Sequence, residues 1–211
     1  MILPSMTKNG GILTIFALLT TGAVATIHEL TADNIAEQER KQLSDQLQEV
    51  LNPAFYNNVL YNDCALIRNP LLGKEPQRVY RARQNGEAVA LIMRHVTPKG
   101  YSGDIELLTA VLSNGQIAGV RVTKHEETPG LGDKVEIKKS PWITLFNDKS
   151  VLGGDDARWA VKKDGGSFDQ FTGATITPRA VVGSVKNAVL FSQSQFNEVF
   201  NAPNACTAGE S

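Results

Sequence analysis

The sequence predicts an α+β protein: an antiparallel sheet of hairpins with packed helices, preceded by one N-terminal transmembrane helix. Three observations predict it. An uncharged run, "GGILTIFALLTTGAVATI", occupies residues 10–27 near the chain start. Two Asn-Gly pairs, Asn85-Gly86 and Asn114-Gly115, each divide a β-rich stretch in two. Further on, Val181, Val182, Val185, Ala188 and Val189 recur at helical spacing and make one apolar face.

The uncharged run would span about 27 Å as a helix, close to the hydrocarbon thickness of a bilayer. Lys8 precedes it, and a segment of mixed charge from Glu29 to Lys41 follows. The lysine places the N-terminus in the cytoplasm and the remainder outside it. A cleaved signal peptide also fits, because "AVA" at 23–25 has the small-x-small form of a cleavage site. Both readings export the main domain; a retained anchor over residues 1–29 is preferred.

Residues 30–75 read as a juxtamembrane helix and connector. Ile35, Ala36, Leu43, Leu47, Val50 and Leu51 recur at helical spacing, with Thr31 or Asp33 as cap, and the polarity between them marks a solvated helix. The main domain, residues 76–195, starts with the two hairpins. Asn-Gly supplies the positive φ angles of a type I′ turn, which predicts four antiparallel strands from about Arg78 to Lys124. "HEETPGLGDKV", residues 125–135, is a polar loop. "SPWITLF" reads as a short helix with Ser140 as N-cap and Pro141 at its first position. "RWAVKK" reads as a strand, "DGGSFDQFTGAT" as a loop, and "TPRAVVGSVKNAVLFSQ" as a helix capped by Thr177. Residues 196–211 read as a flexible tail.

Composition narrows the function. With 21 basic and 22 acidic residues the net charge is -1, which gives no electrostatic footprint for nucleic acid. Cys64 and Cys206 lie in no C-x-x-C or Cys/His cluster, so zinc and iron–sulfur centres lack a ligand set. The two cysteines are either isolated thiols or one disulfide formed in an oxidising compartment. No P-loop, dinucleotide fingerprint or G-x-S-x-G elbow occurs.

The densest chemical signal is "DQFTGATIT", residues 169–177. One helix needs one cap, and Thr177 before Pro178 fits that role, which leaves Thr172 and Thr175 unexplained. Gly173 and Ala174 keep the backbone bare beside a helix start. Free N–H groups and the positive dipole end there favour an anion, so a phosphate is expected beside Thr172 and Thr175. A nucleophilic threonine would need a base. No histidine is near in sequence, although His125 could approach in the fold.

"D-x-x-T-G-A-T", Asp169 to Thr175, resembles the flavinylation motif of the FMN-binding domain family. "GYSGDIELL", "VTKHEETPGLGDKV" and "WAVKKDGGSFDQFTGATITPRAVV" extend the likeness. In the same order of elements, they resemble the G subunits of Rnf (Rsx) ion-translocating electron transport complexes. A more distant likeness is to the C subunit of the sodium-translocating NADH:quinone reductase. The resemblance implies FMN carried covalently, its phosphate esterified to Thr175, attached outside the cytoplasm by a flavin transferase. It therefore implies a flavoprotein that is formally also a phosphoprotein. It further implies a single-pass inner-membrane subunit, main domain periplasmic, of a translocase coupling electron transfer between ferredoxin and NAD to ion movement. Partners would be the complex's other membrane, iron–sulfur and flavin subunits.

The same resemblance implies a cofactor site made of Thr175, Thr172, Gly173, Ala174 and Asp169. The E-T-P-G-L-G loop would add Glu127, Thr128, Gly130, Leu131 and Gly132 as a second wall, with Leu131 on the ring face; an ordinary turn is the plainer reading. Lys162 could neutralise the phosphate or sit at a solvated strand end. Electron transfer of this kind needs no acid–base residue and no metal on this chain. Trp142 reads as core, and Tyr101 and Ser102 as turn residues. Two alternatives stand beside this reading: an exported non-redox binding or scaffold subunit without covalent cofactor, and an exported hydrolase with a threonine nucleophile.

Overall fold

The computed structural model describes residues 3–206. Within them, residues 3–42 and 43–206 fall into two units. Helix α1 runs from Leu3 to Val50 without a break. Its apolar part holds an 18-residue window of mean hydropathy 1.8 with none of it buried, long and apolar enough to cross a membrane. Three threonines in that part return their hydroxyls to the helix. Thr14, Thr20 and Thr26 donate to the carbonyls of Gly10, Phe16 and Gly22 at 2.9, 2.9 and 2.8 Å. A satisfied hydroxyl lowers the cost of placing it in hydrocarbon.

In the folded unit, five antiparallel strands form one sheet in the order β1-β2-β3-β4-β5. They are β1 (Cys64–Ile67), β2 (Gln77–Gln84), β3 (Glu87–Thr97), β4 (Ile105–Leu112) and β5 (Ile117–Lys124). The four strands expected from the hairpins are present, and β1 is an addition. Asn85 and Gly86 have φ of 53° and 88°, the two positive values of a type I′ turn. The second Asn-Gly behaves differently. Gly115 has φ 82°, Asn114 is not in the positive region, and Gly115 N–H donates to Leu112 O at 2.8 Å. The register then slips between Ala110 and Val111. This is a longer hairpin loop closed by a left-handed glycine and a bulge, not the expected type I′ turn.

Both faces of the sheet are covered. Helix α2, Ile176–Asn201, lays Val181, Val185 and Ala188 in one cluster with Leu91, Met93 and Leu107. On the other face, Leu47, Val50 and Leu51 at the end of α1 pack with Ile92, Leu108 and Ala110. The central strands therefore bury successive residues, such as Ala90 to Met93, instead of alternating. Within the α2 face sits His95, fully buried. Its ring nitrogens meet Ser184 Oγ and Thr109 Oγ1, each at 2.8 Å. Burial pushes its pKa down to about 3, so it stays neutral.

The short helix expected from "SPWITLF" is present as a 3-10 helix, Pro141–Phe146, and Ser140 caps it as expected, accepting from Trp142 N–H at 3.2 Å. Two other local expectations change. "RWAVKK" is not a strand. It makes a single bridge, Val161 to Phe168, and turns into a 3-10 segment at Lys162–Asp164, closed by Gly165 at φ 86°. The chain from 196 to 201 is helical, because α2 continues through it. Beyond α2, Cys206 is bonded to Cys64. Asn204 Oδ1 accepts from the N–H groups of Cys64 and Cys206 at 3.1 and 3.0 Å. Ala205 N–H donates to Cys64 O at 2.8 Å. The flexible tail expected there is thus tied to β1 as far as Cys206, and its remainder, 207–211, lies outside the described residues.

Two outcomes follow. The disulfide closes a loop of sequence separation 142, so reducing it, or making Cys64→Ser/Cys206→Ser, costs about 2–5 kcal/mol of stability in urea unfolding of the detergent-solubilised chain. His95 takes a proton in the unfolded chain near pH 6.5 but in the folded chain only near 3. Its contribution is complete above pH 6.5 and falls as pH drops toward 3, at about 1.4 kcal/mol per unit. Unfolding midpoints measured across that window lose this slope in His95→Gln.

Candidate functional site

The D-x-x-T-G-A-T stretch is fastened from behind and open in front. Phe171 is buried and meets Trp142 edge to face at 5.1 Å. Trp142 is core, and its Nε1–H donates to Asp169 O at 2.7 Å. Phe146, Trp159 and Phe168 continue the aromatic cluster. From Phe171 the chain makes a tight turn: Ala174 N–H donates to Phe171 O at 3.1 Å, and Gly173 sits at φ 82°. A side chain there would be strained, so the turn selects glycine.

Thr172 and Gly173 are exposed, and Ala174 and Thr175 half-buried. Thr175, not Thr177, holds the cap position of α2. It has helical φ and ψ and makes no capping hydrogen bond. Its backbone oxygen accepts from Arg179 N–H at 3.3 Å. Thr177 lies inside the first turn, fully buried, and its hydroxyl donates to Glu127 Oε2. The cap assigned to Thr177 is therefore corrected: a partner from another loop claims its hydroxyl.

Glu127 gathers three segments. Its Oε2 accepts from Thr177, its Oε1 from Ser102 N–H at 3.0 Å, and its own N–H donates to His125 Nδ1 at 3.0 Å. His125 Nε2 faces Glu136 Oε1 at 2.7 Å, so with Nδ1 accepting, Nε2 carries the proton. Thr128 O accepts from the N–H groups of Leu131 and Gly132 at 3.1 Å each, which folds T-P-G-L-G back on itself. Gly132 sits where a Cβ would lie 2.8 Å from both Glu127 Oε2 and Thr177 Oγ1. Leu131, 40% exposed, reaches toward the turn, its Cδ2 only 3.3 Å from where a Gly173 Cβ would be. The two loops are thus brought together: Leu131 against Gly173, Glu127 against Thr177.

The remaining candidates are distributed around this junction. Thr128 and Gly130 are exposed, Gly130 at φ 77°. Glu127 is buried and faces its hydrogen-bond donors. Lys162 pairs with Asp169 at 2.6 Å, both more than half exposed, a contact worth about 0–1 kcal/mol. Beside them Arg179 grips both oxygens of Asp164, at 2.6 and 2.9 Å, and holds that carboxyl below its usual range. Ser102, Thr177, Arg179 and Asp164 were not legible as site neighbours. "T-P" reads as a cap wherever it occurs, and nothing local announces a partner from a distant loop.

Chemically, the junction offers two threonine hydroxyls without hydrogen bonds among the described residues, at the uncapped start of a helix. No base contacts either among those residues, and both nitrogens of His125 are engaged. Such hydroxyls suit an acceptor of a group delivered by another protein better than a self-activated nucleophile. The residues fit FMN: uncapped first-turn N–H groups for a phosphate, a bare glycine turn, and an apolar Leu131 for a flat ring.

Residues 100–190 match the FMN-binding domain family, and residues 1–50 match the RnfG N-terminal region. The G subunit of the ion-translocating oxidoreductase complex of Photorhabdus laumondii is 50% identical over 193 residues, covering 91% of this chain and 92% of its own length. Its counterpart in Escherichia coli O157:H7 is 49% identical, covering 97% and 98%. The counterpart in Vibrio cholerae is 43% identical, again covering 97% and 98%. With an FMN-binding domain behind a long apolar helix, and similarity along nearly its whole length, the chain belongs to the family of G subunits of ion-translocating oxidoreductase complexes.

Proposed function

We propose that this chain is the FMN-carrying electron-transfer subunit of an ion-translocating oxidoreductase complex, with the flavin held by a phosphoester on Thr175. One observation carries the reading. The Thr175 hydroxyl is uncommitted at the start of α2, beside the junction where Leu131 meets Gly173. Attachment would break the pyrophosphate bond of FAD, form the bond from Thr175 Oγ1 to the flavin's phosphorus and release AMP. The hydroxyl proton would leave to a base on the transferase, consistent with the lack of one among the described residues here. FMN supplies reversible electron transfer, and this chain's part is to hold the ring and keep its phosphate neutralised. Leu131 would pack on the ring. Thr172, Gly173 and Ala174 would leave the backbone open to the phosphate. Lys162 and Asp169 would flank it, and Thr128 and Gly130 would border the ring.

The complex would couple electron flow between ferredoxin and NAD to ion movement, with the other subunits as partners. The apolar part of α1 supports a single-pass inner-membrane anchor. The Cys64–Cys206 disulfide supports an oxidising compartment, hence a periplasmic main domain reached by an extracytoplasmic transferase.

The test uses membranes of the native host. The denatured full-length chain should fluoresce as a flavoprotein on a gel, with the added mass on the peptide containing Thr175. Thr175→Ala should bring the fluorescence to background without loss of folded protein. A dark wild-type band, from a host that flavinylates other proteins, or full fluorescence in Thr175→Ala, overturns the phosphoester and favours the scaffold reading.

A further inference from the structure

A cleft of about 910 Å³ opens beside the candidate site, on the flank of α2 that carries Ile176 and Arg179. Its lining is one-sided in charge. Arg68, Lys74, Lys99, Arg179 and Lys186 contribute five cations, and no Asp or Glu among the described residues lines it. The chain as a whole holds 21 basic and 22 acidic residues, so this is a local arrangement and not a general excess. Arg179 is neutralised by Asp164, and Lys186 Nζ donates to Asp156 O at 3.3 Å. Among the described residues no ion pair engages Arg68, Lys74 or Lys99, all exposed. The acidic residues Glu75, Asp104 and Glu106 line an adjoining cleft that shares Lys74, Val96 and Pro98 with it.

Between the cations the surface is apolar. Leu71, Val96, Trp159, Ile176 and Ala180 line the cleft. Arg179 and Lys186 reach it from α2. Arg68, Lys74 and Lys99 reach it from the segments before β2 and after β3. A concave surface with cations on two sides does not match a flat bilayer face. It matches a short chain segment that offers carboxylates to both sides and an apolar side chain between them.

We propose that this cleft docks an acidic segment of another subunit of the complex, carboxylates over Arg68, Lys74 and Lys99 and an apolar side chain between them. Ile176, next to Thr175, and Arg179, one helical turn on, line the cleft, so on the proposed reading of Thr175 the docked subunit comes up against the group it carries. The cleft thereby acts as the electrostatic guide for the partner that exchanges electrons at the site. Docking stands on the cleft alone and does not require the covalent flavin. Flavin fluorescence read in the same samples separates loss of cofactor from loss of partner.

The experiment purifies the full-length chain, with its complex, from mildly solubilised native membranes. The variant is Arg68→Glu/Lys74→Glu/Lys99→Glu, which changes only exposed side chains. We expect about tenfold less of the other subunits to be recovered, with melting temperature and gel fluorescence unchanged. Lys124→Glu/Lys138→Glu, on a different surface, recovers them as wild type does. A photo-crosslinking residue in place of Lys99 gives an adduct that maps to an Asp/Glu-containing peptide of another subunit. Wild-type recovery in the triple variant, or an adduct on a peptide without Asp or Glu, overturns the proposal. So does a triple variant that keeps its subunits but no longer binds phosphatidylglycerol vesicles, which assigns the cleft to a lipid headgroup.

Discussion

Glu127 is only 5% exposed, and a carboxylate so buried costs several kcal/mol unless its oxygens are hydrogen bonded. The junction around Thr175 is built to meet that requirement. Ser102 N–H serves one oxygen and the Thr177 hydroxyl the other, so the turn before β4, the T-P-G-L-G loop and the first turn of α2 are locked to one group. The crowding then dictates sequence. A Cβ at Gly100 would lie 2.7 Å from Glu127 Oε1, and one at Gly132 2.8 Å from Oε2. The loop's two glycines therefore exist for different reasons: Gly130 for its φ of 77°, Gly132 for lack of space.

This lock needs a firm base. The sheet is covered on both faces, and His95 joins β3 to α2 through Ser184 and to β4 through Thr109 with both ring nitrogens satisfied. A neutral, fully bonded histidine costs little in the core, whereas a charged one would leave an uncompensated ion there. The aromatic cluster from Trp142 to Phe171 fixes the other approach to the turn. What remains outside the packing is what chemistry can use: Thr172, Gly173 and the Leu131 side chain.

The parts legible in the sequence are those set by local rules. Asn85-Gly86 fixes its turn through φ alone, the Ser140-Pro141 start is read from two adjacent residues, and α2 follows from the spacing of its valines. The parts that were not legible depend on distant partners. Asn114 keeps a negative φ because the hairpin closes through Gly115 and a bulge. β1 is only four residues long, paired with β2 and pinned by a cysteine from the far end of the chain. "RWAVKK" has strand propensity but pairs with only Phe168 before Gly165 turns it away. At the site, the motif pointed to Thr175, whose hydroxyl makes no capping bond, while the part Glu127 plays in holding the loops together shows only once Thr177 is seen to donate to it.

The site and the cleft beside it divide their work along α2. On the Leu131 side the loops are held by hydrogen bonds to a buried carboxylate, and Leu131 offers an exposed apolar face. The Arg179 side is wide, apolar between exposed cations, and can take a partner's charge at long range before contact is made. Both meet at the first turn of the helix, where Thr175 has a hydroxyl that no described neighbour uses. An electron carrier needs that combination. Its redox group must be fixed precisely to keep its properties constant. Its partner subunit must be held with the right face toward that group, and charge on both sides of an open cleft sets that orientation.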